Sequence, residues 1–110
     1  MSSLTSIAQT GLQAAQVRMG AAAHNVANAQ TPDFRRQTVS AQAIATVSGT
    51  GASATGAQGV AVRTSQATQP GANLAQDMVD QLAARQAFVA NLGVLKTSSD
   101  TLGSLLSVRA

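Results

Sequence analysis

The sequence predicts a mainly α chain. Long N- and C-terminal helices pair as an antiparallel, coiled-coil-like hairpin, with a small irregular or β-hairpin insertion between them. Two features of the pattern and one interruption predict this. Apolar residues step alternately by four and three from Ala8 to Val26, and the same alternation returns from Leu74 to Leu106. Between them the helical period is lost. The chain of 110 residues therefore divides into an assembly helix with its elbow (1–36), an insertion (37–72) and a C-terminal assembly helix (73–110).

The first seam is Ala8, Leu12, Ala15, Met19, Ala22 and Val26, widened on one side by Leu4, Ile7, Gly11 and Ala14. A helix from about Leu4 to Asn28 would run about 37 Å at 1.5 Å per residue. Its small residues let a partner helix approach closely. The stop is built into Asn25-Val26-Ala27-Asn28-Ala29-Gln30-Thr31-Pro32-Asp33-Phe34-Arg35-Arg36. Asn28 is placed to take the left-handed conformation that ends many helices. Asn25, one turn earlier, can bond a terminal carbonyl or a partner. Pro32 cannot continue a helix and pushes Thr31 toward extended geometry, and Pro-Asp favours a turn.

From Phe34 to Val47 the apolar and polar residues alternate, which predicts an extended arm or strand. Ser48 to Gly59 is rich in Gly, Ala, Ser and Thr and reads as a flexible linker. Val60 to Thr64 can return as a short strand to make a hairpin, and Ser65 to Gly71 reads as loop broken by Pro70-Gly71. Asn73 then serves as N-cap of the second helix, with Gln76 at the capping-box position. Asp77 and Asp80 complement the positive helix end. The second seam reads Leu74, Met78, Gln81, Arg85, Phe88, Leu92, Leu95, Ser99, Leu102 and Leu106. Val79, Leu82, Val89 and Leu105 broaden it, and the helix reaches about Val108. Lys96 and Asp100 stand at i, i+4.

Composition limits what such a chain does. Apolar residues make up 45%, yet nearly half of them are alanine and the only aromatics are Phe34 and Phe88, so there is little to bury alone. Residual apolar stripes need other subunits. The net charge of +3 comes from scattered basic residues, with Arg35-Arg36 the only adjacent pair, unlike the dense patch of a nucleic-acid binder. With no cysteine there is no disulfide, thiolate metal site or thiol catalysis. No stretch approaches the ~18 apolar residues of a membrane span. Residues 1–17 lack the basic start of a cleavable signal peptide, so export would follow another route. His24, the lone histidine, has no nearby co-ligand, and no nucleophile elbow or phosphate loop is present. We expect no enzyme and no cofactor or metal.

The stop resembles the N-terminal signature of bacterial flagellar rod and hook axial proteins. That signature is Asn-(Leu/Ile/Val)-Ala-Asn-(Ala/Ser)-x-Thr-Pro-Gly-(Tyr/Phe)-basic, after a helix with Gly-Leu-x-Ala and a later Met. The matching residues are Gly11, Leu12, Ala14, Met19, Asn25, Val26, Ala27, Asn28, Ala29, Thr31, Pro32, Phe34, Arg35 and Arg36. Met78, Val79, Arg85, Ala87, Phe88 and Asn91 resemble the family's C-terminal pattern, followed by Leu105-Leu106. Asp33 stands where the family has Gly, so the turn need not use positive φ there. Asp77 replaces a Glu. The short middle is closest in size to a proximal rod protein.

The resemblance implies a structural subunit of the flagellar basal body, self-assembling through terminal helices into a helical axial tube that contributes to motility. It implies type III export without a cleavable signal peptide. It also implies a periplasm-spanning location, and copies of itself, other axial proteins and the export apparatus as partners. It implies neither nucleic acid nor membrane insertion. The expected assembly interface is Leu12, Met19, Asn25, Val26, Asn28, Phe34, Arg35, Arg36, Met78, Arg85, Phe88, Asn91, Leu95, Leu102 and Leu106. Within it, Arg35-Arg36 is expected to meet Asp77 or Asp80 of a neighbour. A small helical adaptor or export-linked interaction protein is the alternative, and a nucleic-acid or membrane-surface binder a third.

Overall fold

The structure, a computed structural model, describes residues 2–44 and 59–109. It has two long helices, α1 (Ser2–Ala27) and α2 (Leu74–Arg109), and two antiparallel strands between them, β1 (Gln37–Ile44) and β2 (Gly59–Gln66). The chain is therefore mainly helical with a β-hairpin insertion, as the periodicity predicts. The last residues of the predicted arm, 45–47, and most of the predicted linker, residues 48–58, lie outside the described residues, and Gly59 opens β2. The second strand is longer than expected and takes Ser65 and Gln66 from the predicted loop.

Helix α1 is the middle of the molecule. It packs against α2 on one side and against both strands on another, whereas α2 does not pack on either strand. The result is long and thin, 62 × 37 × 13 Å, with a radius of gyration of 18.4 Å. A compact domain of about 100 residues would have roughly 13 Å. Such a shape has little interior. The buried apolar side chains among the described residues are all alanines: Ala8, Ala14, Ala15, Ala21, Ala22 and Ala84. Each methyl contributes about 0.8 kcal/mol, against about 1.5–3 kcal/mol for a fully buried leucine.

The α1 seam lies where the sequence puts it. Ala8, Ala15 and Ala22 are buried, and Leu12, Met19 and Val26 are half-buried between them. The α2 seam does not. Its step of four and three is right, but its phase is one residue out over half of its positions. Asp77, Ala84 and Ser98 are buried, with Phe88, Asn91 and Leu95 half-buried. Met78, Arg85, Leu92, Ser99 and Leu106, each one residue further on than a seven-residue series from Asp77, are exposed, as are Leu74, Gln81 and Leu102. The cause is the facing surface. Alanines on α1 bring the helices close, and only small or polar residues of α2 fit against them.

Close approach is visible at Gly11. A Cβ there would lie 2.6 Å from Asn91 Oδ1 and 2.8 Å from the rest of that amide, which is itself held by an Asn91 Nδ2–Ala87 O hydrogen bond of 2.9 Å. With Asn25 bonded to Asp77 at the other end, this contact fixes the antiparallel register.

The sheet is tied to α1 as well. Thr10 Oγ1 accepts the Val60 amide at 3.1 Å and donates to Ile7 O at 2.8 Å. Gly59, at φ 145°, has no room for a side chain, because a Cβ would lie 2.3 Å from that hydroxyl. No described helix is long and apolar enough to cross a membrane.

These packings give the same substitution opposite effects at two sites. Gly20 has nothing within 4 Å of its Cβ position, so Gly20→Ala should raise stability by about 0.5–1 kcal/mol through helix propensity. Gly11→Ala should lower it by about 1–3 kcal/mol by forcing the Asn91 amide off the seam. Urea midpoints followed by far-UV circular dichroism measure both.

Candidate functional site

Asn25, Arg36 and Asp77 meet at the elbow from three parts of the chain. Helix α1 delivers Asn25, which is 3% exposed because it occupies the last turn of the inward face. The first turns of α2 deliver Asp77, which is 1% exposed. That helix starts at Asn73, whose Oδ1 accepts the Gln76 amide at 3.1 Å and whose carbonyl accepts the Asp77 amide at 3.0 Å. The N-cap is therefore as expected. Gln76 does not close a capping box: its Nε2 donates to Asp80 Oδ1 at 2.9 Å.

The Asn25 amide is fully engaged on three sides. Its Oδ1 accepts the Gln37 N–H at 2.7 Å, and its Nδ2 donates to Gln37 O at 2.9 Å. It thus pairs with both backbone groups of Gln37 as a neighbouring strand residue would. The second Nδ2 proton goes to Asp77 Oδ1 at 3.1 Å. The Arg36 guanidinium grips the same carboxylate with two donors, Nη2 to Oδ1 and Nε to Oδ2, the latter at 3.2 Å. The Asp77 hydrogen bond chiefly, with the charges of Asp77 and Asp80, raises the Arg36 pKa above its ordinary value despite partial burial. No buried side-chain nitrogen or oxygen among the described residues lacks a partner.

The turn between α1 and β1 is held by the other signature residues. Asn28 Nδ2 donates to His24 O at 2.9 Å, and its carbonyl accepts the Thr31 amide at 2.9 Å. Asn28 is not left-handed. Asp33 is, at φ 58°, the only non-glycine residue with positive φ among those described. Both expectations are corrected together: α1 closes through backbone bonds from Asn28 to His24 O and from Ala29 to Val26 O, with the Asn28 side chain added on His24 O, and the reversal comes later, after Pro32. Asp33 adopts the conformation a glycine takes most easily. Phe34 lies half-buried, its ring 5.5 Å from that of His24 and tilted by 58°. Its carbonyl accepts the Gly71 amide at 3.0 Å, and Arg36 O accepts the Ala67 amide at 2.8 Å.

The arrangement is architectural. It brings together Asn25, Asn28, Phe34 and Arg36 of the expected interface and turns them inward. Arg36 meets Asp77 within its own chain rather than on a neighbour, because the start of α2 lies beside the elbow. Leu12, Met19, Val26, Phe88, Asn91 and Leu95 are half-buried, whereas Arg35, Met78, Arg85, Leu102 and Leu106 are exposed.

Asp77 is expected from the sequence as a helix-end charge and as an acidic partner for Arg35-Arg36 on a neighbour, but not as a buried group, although it stands seven residues before Ala84 and so in phase with the small residues of α2. Thr10 carries no signal at all. Beside the trio a cleft of about 340 Å³ opens between β1 and α2, with Arg18, Val39, Asp80 and Ala83 in its walls. No described group of three or more His, Cys, Asp or Glu residues could hold a metal ion. No protein-family model matches the chain, and a search of curated proteins finds no significant match.

Removing Arg36 leaves a buried carboxylate short of its cation. Arg36→Met should cost about 3–5 kcal/mol, while Arg35→Met, one residue away and exposed, should change stability by less than about 0.5 kcal/mol. Asp33→Gly should stabilise by up to about 1 kcal/mol by relieving the left-handed residue. Denaturant titration of the three variants checks these values.

Proposed function

We propose that the chain is a structural subunit of the bacterial flagellar basal-body rod. It joins copies of itself and other axial proteins in a helical tube that spans the periplasm and contributes to motility. It reaches that site through the type III export apparatus without a cleavable signal peptide. The motif resemblance suggests the family. The observation that carries the reading is where the large apolar side chains lie. The chain packs alanine on its own seam and leaves Met78, Leu82, Val89, Leu92, Leu105 and Leu106 between 51 and 72% exposed. Leu4 and Ile7 of α1 are also exposed. Apolar exposure on that scale marks surfaces to be covered by other chains.

The trio at the elbow suits this role. It sets the angle between the terminal helices and the hairpin with hydrogen bonds that need no neighbour. A subunit can then arrive at its contacts already shaped, which limits the ordering cost of assembly.

Deleting the gene from the bacterium that carries it should abolish motility and yield basal bodies without a complete rod by electron microscopy. Complementation with Leu105→Glu plus Leu106→Glu should fail, although the purified variant keeps its helicity. A motile deletion strain with intact basal bodies would overturn the proposal.

A further inference from the structure

Helix α2 carries a second seam outside the chain. Met78, Leu82, Arg85, Val89 and Leu92 step by four, three, four and three, the alternation of a helix that packs along another helix. All five are exposed, the four apolar ones by 51–62%. The stripe runs about 21 Å along the helix. It ends where Lys96, the next position in the series, pairs with Asp100 at 2.9 Å.

We propose that this seam docks one amphipathic helix of a different protein, with an acidic side chain opposite Arg85 and aliphatic side chains on either side. The stepping calls for a helix. Arg85 calls for the acid. No described residue pairs with Arg85, and a helix closing over it would desolvate its charge, which is tolerable only beside an opposite charge.

A second copy of this chain does not supply that partner. Pairing two such seams about their centre, in either direction, sets Arg85 on Arg85. Helix α1 holds no acidic residue, and Asp77 is already taken by Arg36. Sliding a second α2 to bring Asp100 onto Arg85 sets Gly93 and Ser107 against the ends of the seam, in either direction. Bringing Asp80 there sets Asn73 and Ala87 against them. No such register gives the four apolar residues large apolar neighbours. Copies of the chain are left with the other exposed faces, at Leu105-Leu106 and at Leu4 and Ile7. The inference stands on α2 alone and does not need the rod reading.

The test uses the full chain and two labelled helical peptides of about three heptads. Both carry leucine at the seam positions. One has Glu at the central seam position and the other Lys. By fluorescence anisotropy the Glu peptide should bind at least about tenfold more tightly than the Lys peptide. Arg85→Glu, at an exposed position, should reverse that order, and Leu82→Asp should abolish binding of both. Equal binding, no binding of either peptide, or an order unchanged by Arg85→Glu would overturn the proposal. So would sedimentation showing that the chain self-associates and that Leu82→Asp alone abolishes it, since a second copy would then cover the seam.

Discussion

The geometry of this chain depends on the buried carboxylate of Asp77. A carboxylate out of water is costly unless it is paired and hydrogen-bonded. Here its partners come from the end of α1, through Asn25, and from the start of the hairpin, through Arg36. Residues separated by more than 40 positions must therefore meet within hydrogen-bonding distance. The rest of the packing could not impose this. A seam of alanines is nearly featureless, and one helix could slide along the other by a turn with little loss of contact. Polar groups within a seam fix register at some expense of stability. Asp77 with Asn25 does so at one end, and Gly11 with Asn91 at the other.

This constraint also explains how the sequence misleads. Along α1 the seam from Ala8 to Val26 is the inward one, because α2 and the sheet bury its two sides, and those residues are read off directly, whereas Leu4 and Ile7, read as widening it, are exposed. Along α2 two seams of equal period lie one residue apart, about 100° around the helix. The outer one holds Met78, Leu82, Val89 and Leu92, so hydrophobic periodicity mixes the two, taking Met78 and Leu92 from the outer side and Phe88 and Leu95 from the inner. Nothing in a period says which stripe faces the chain's own helix and which faces outward. The facing surface decides, and it is alanine and asparagine. The elbow is legible as a place and as a set of residues, but the bonds Asn25 makes to Gln37 and Asp77 are not. Asp33 rather than Asn28 is left-handed because the last turn of α1 tightens through i, i+3 backbone bonds, with the Asn28 side chain on the His24 carbonyl, and no left-handed residue is needed there. The pairing of Asp77 with Arg36 is legible, though as a contact between subunits; its burial is not, because a carboxylate near a helix start is usually sufficiently explained by the helix dipole.

Inside and outside are thus inverted relative to an ordinary small domain. Polar specificity and methyl groups lie within, and much of the leucine, valine and methionine lies without. A chain built so is precise in shape and poor in self-sufficient burial. That combination fits a part whose remaining stability comes from its neighbours, whether they are copies on the terminal faces or a different helix along the outer seam of α2.

The most direct measurement is amide hydrogen exchange at Gln37 by NMR. Its N–H points away from β2 and is held only by Asn25 Oδ1, at 2.7 Å. Val39 and Ala41, two and four residues further along, share that outward side of β1 with no side chain to cap them. If the Asn25 amide closes the elbow as described, Gln37 exchanges far more slowly than Val39 and Ala41, at a rate near that of the α1 amides around Ala22. Exchange at Gln37 as fast as at Val39 and Ala41 would contradict the account, because the three-way junction would then be open in solution.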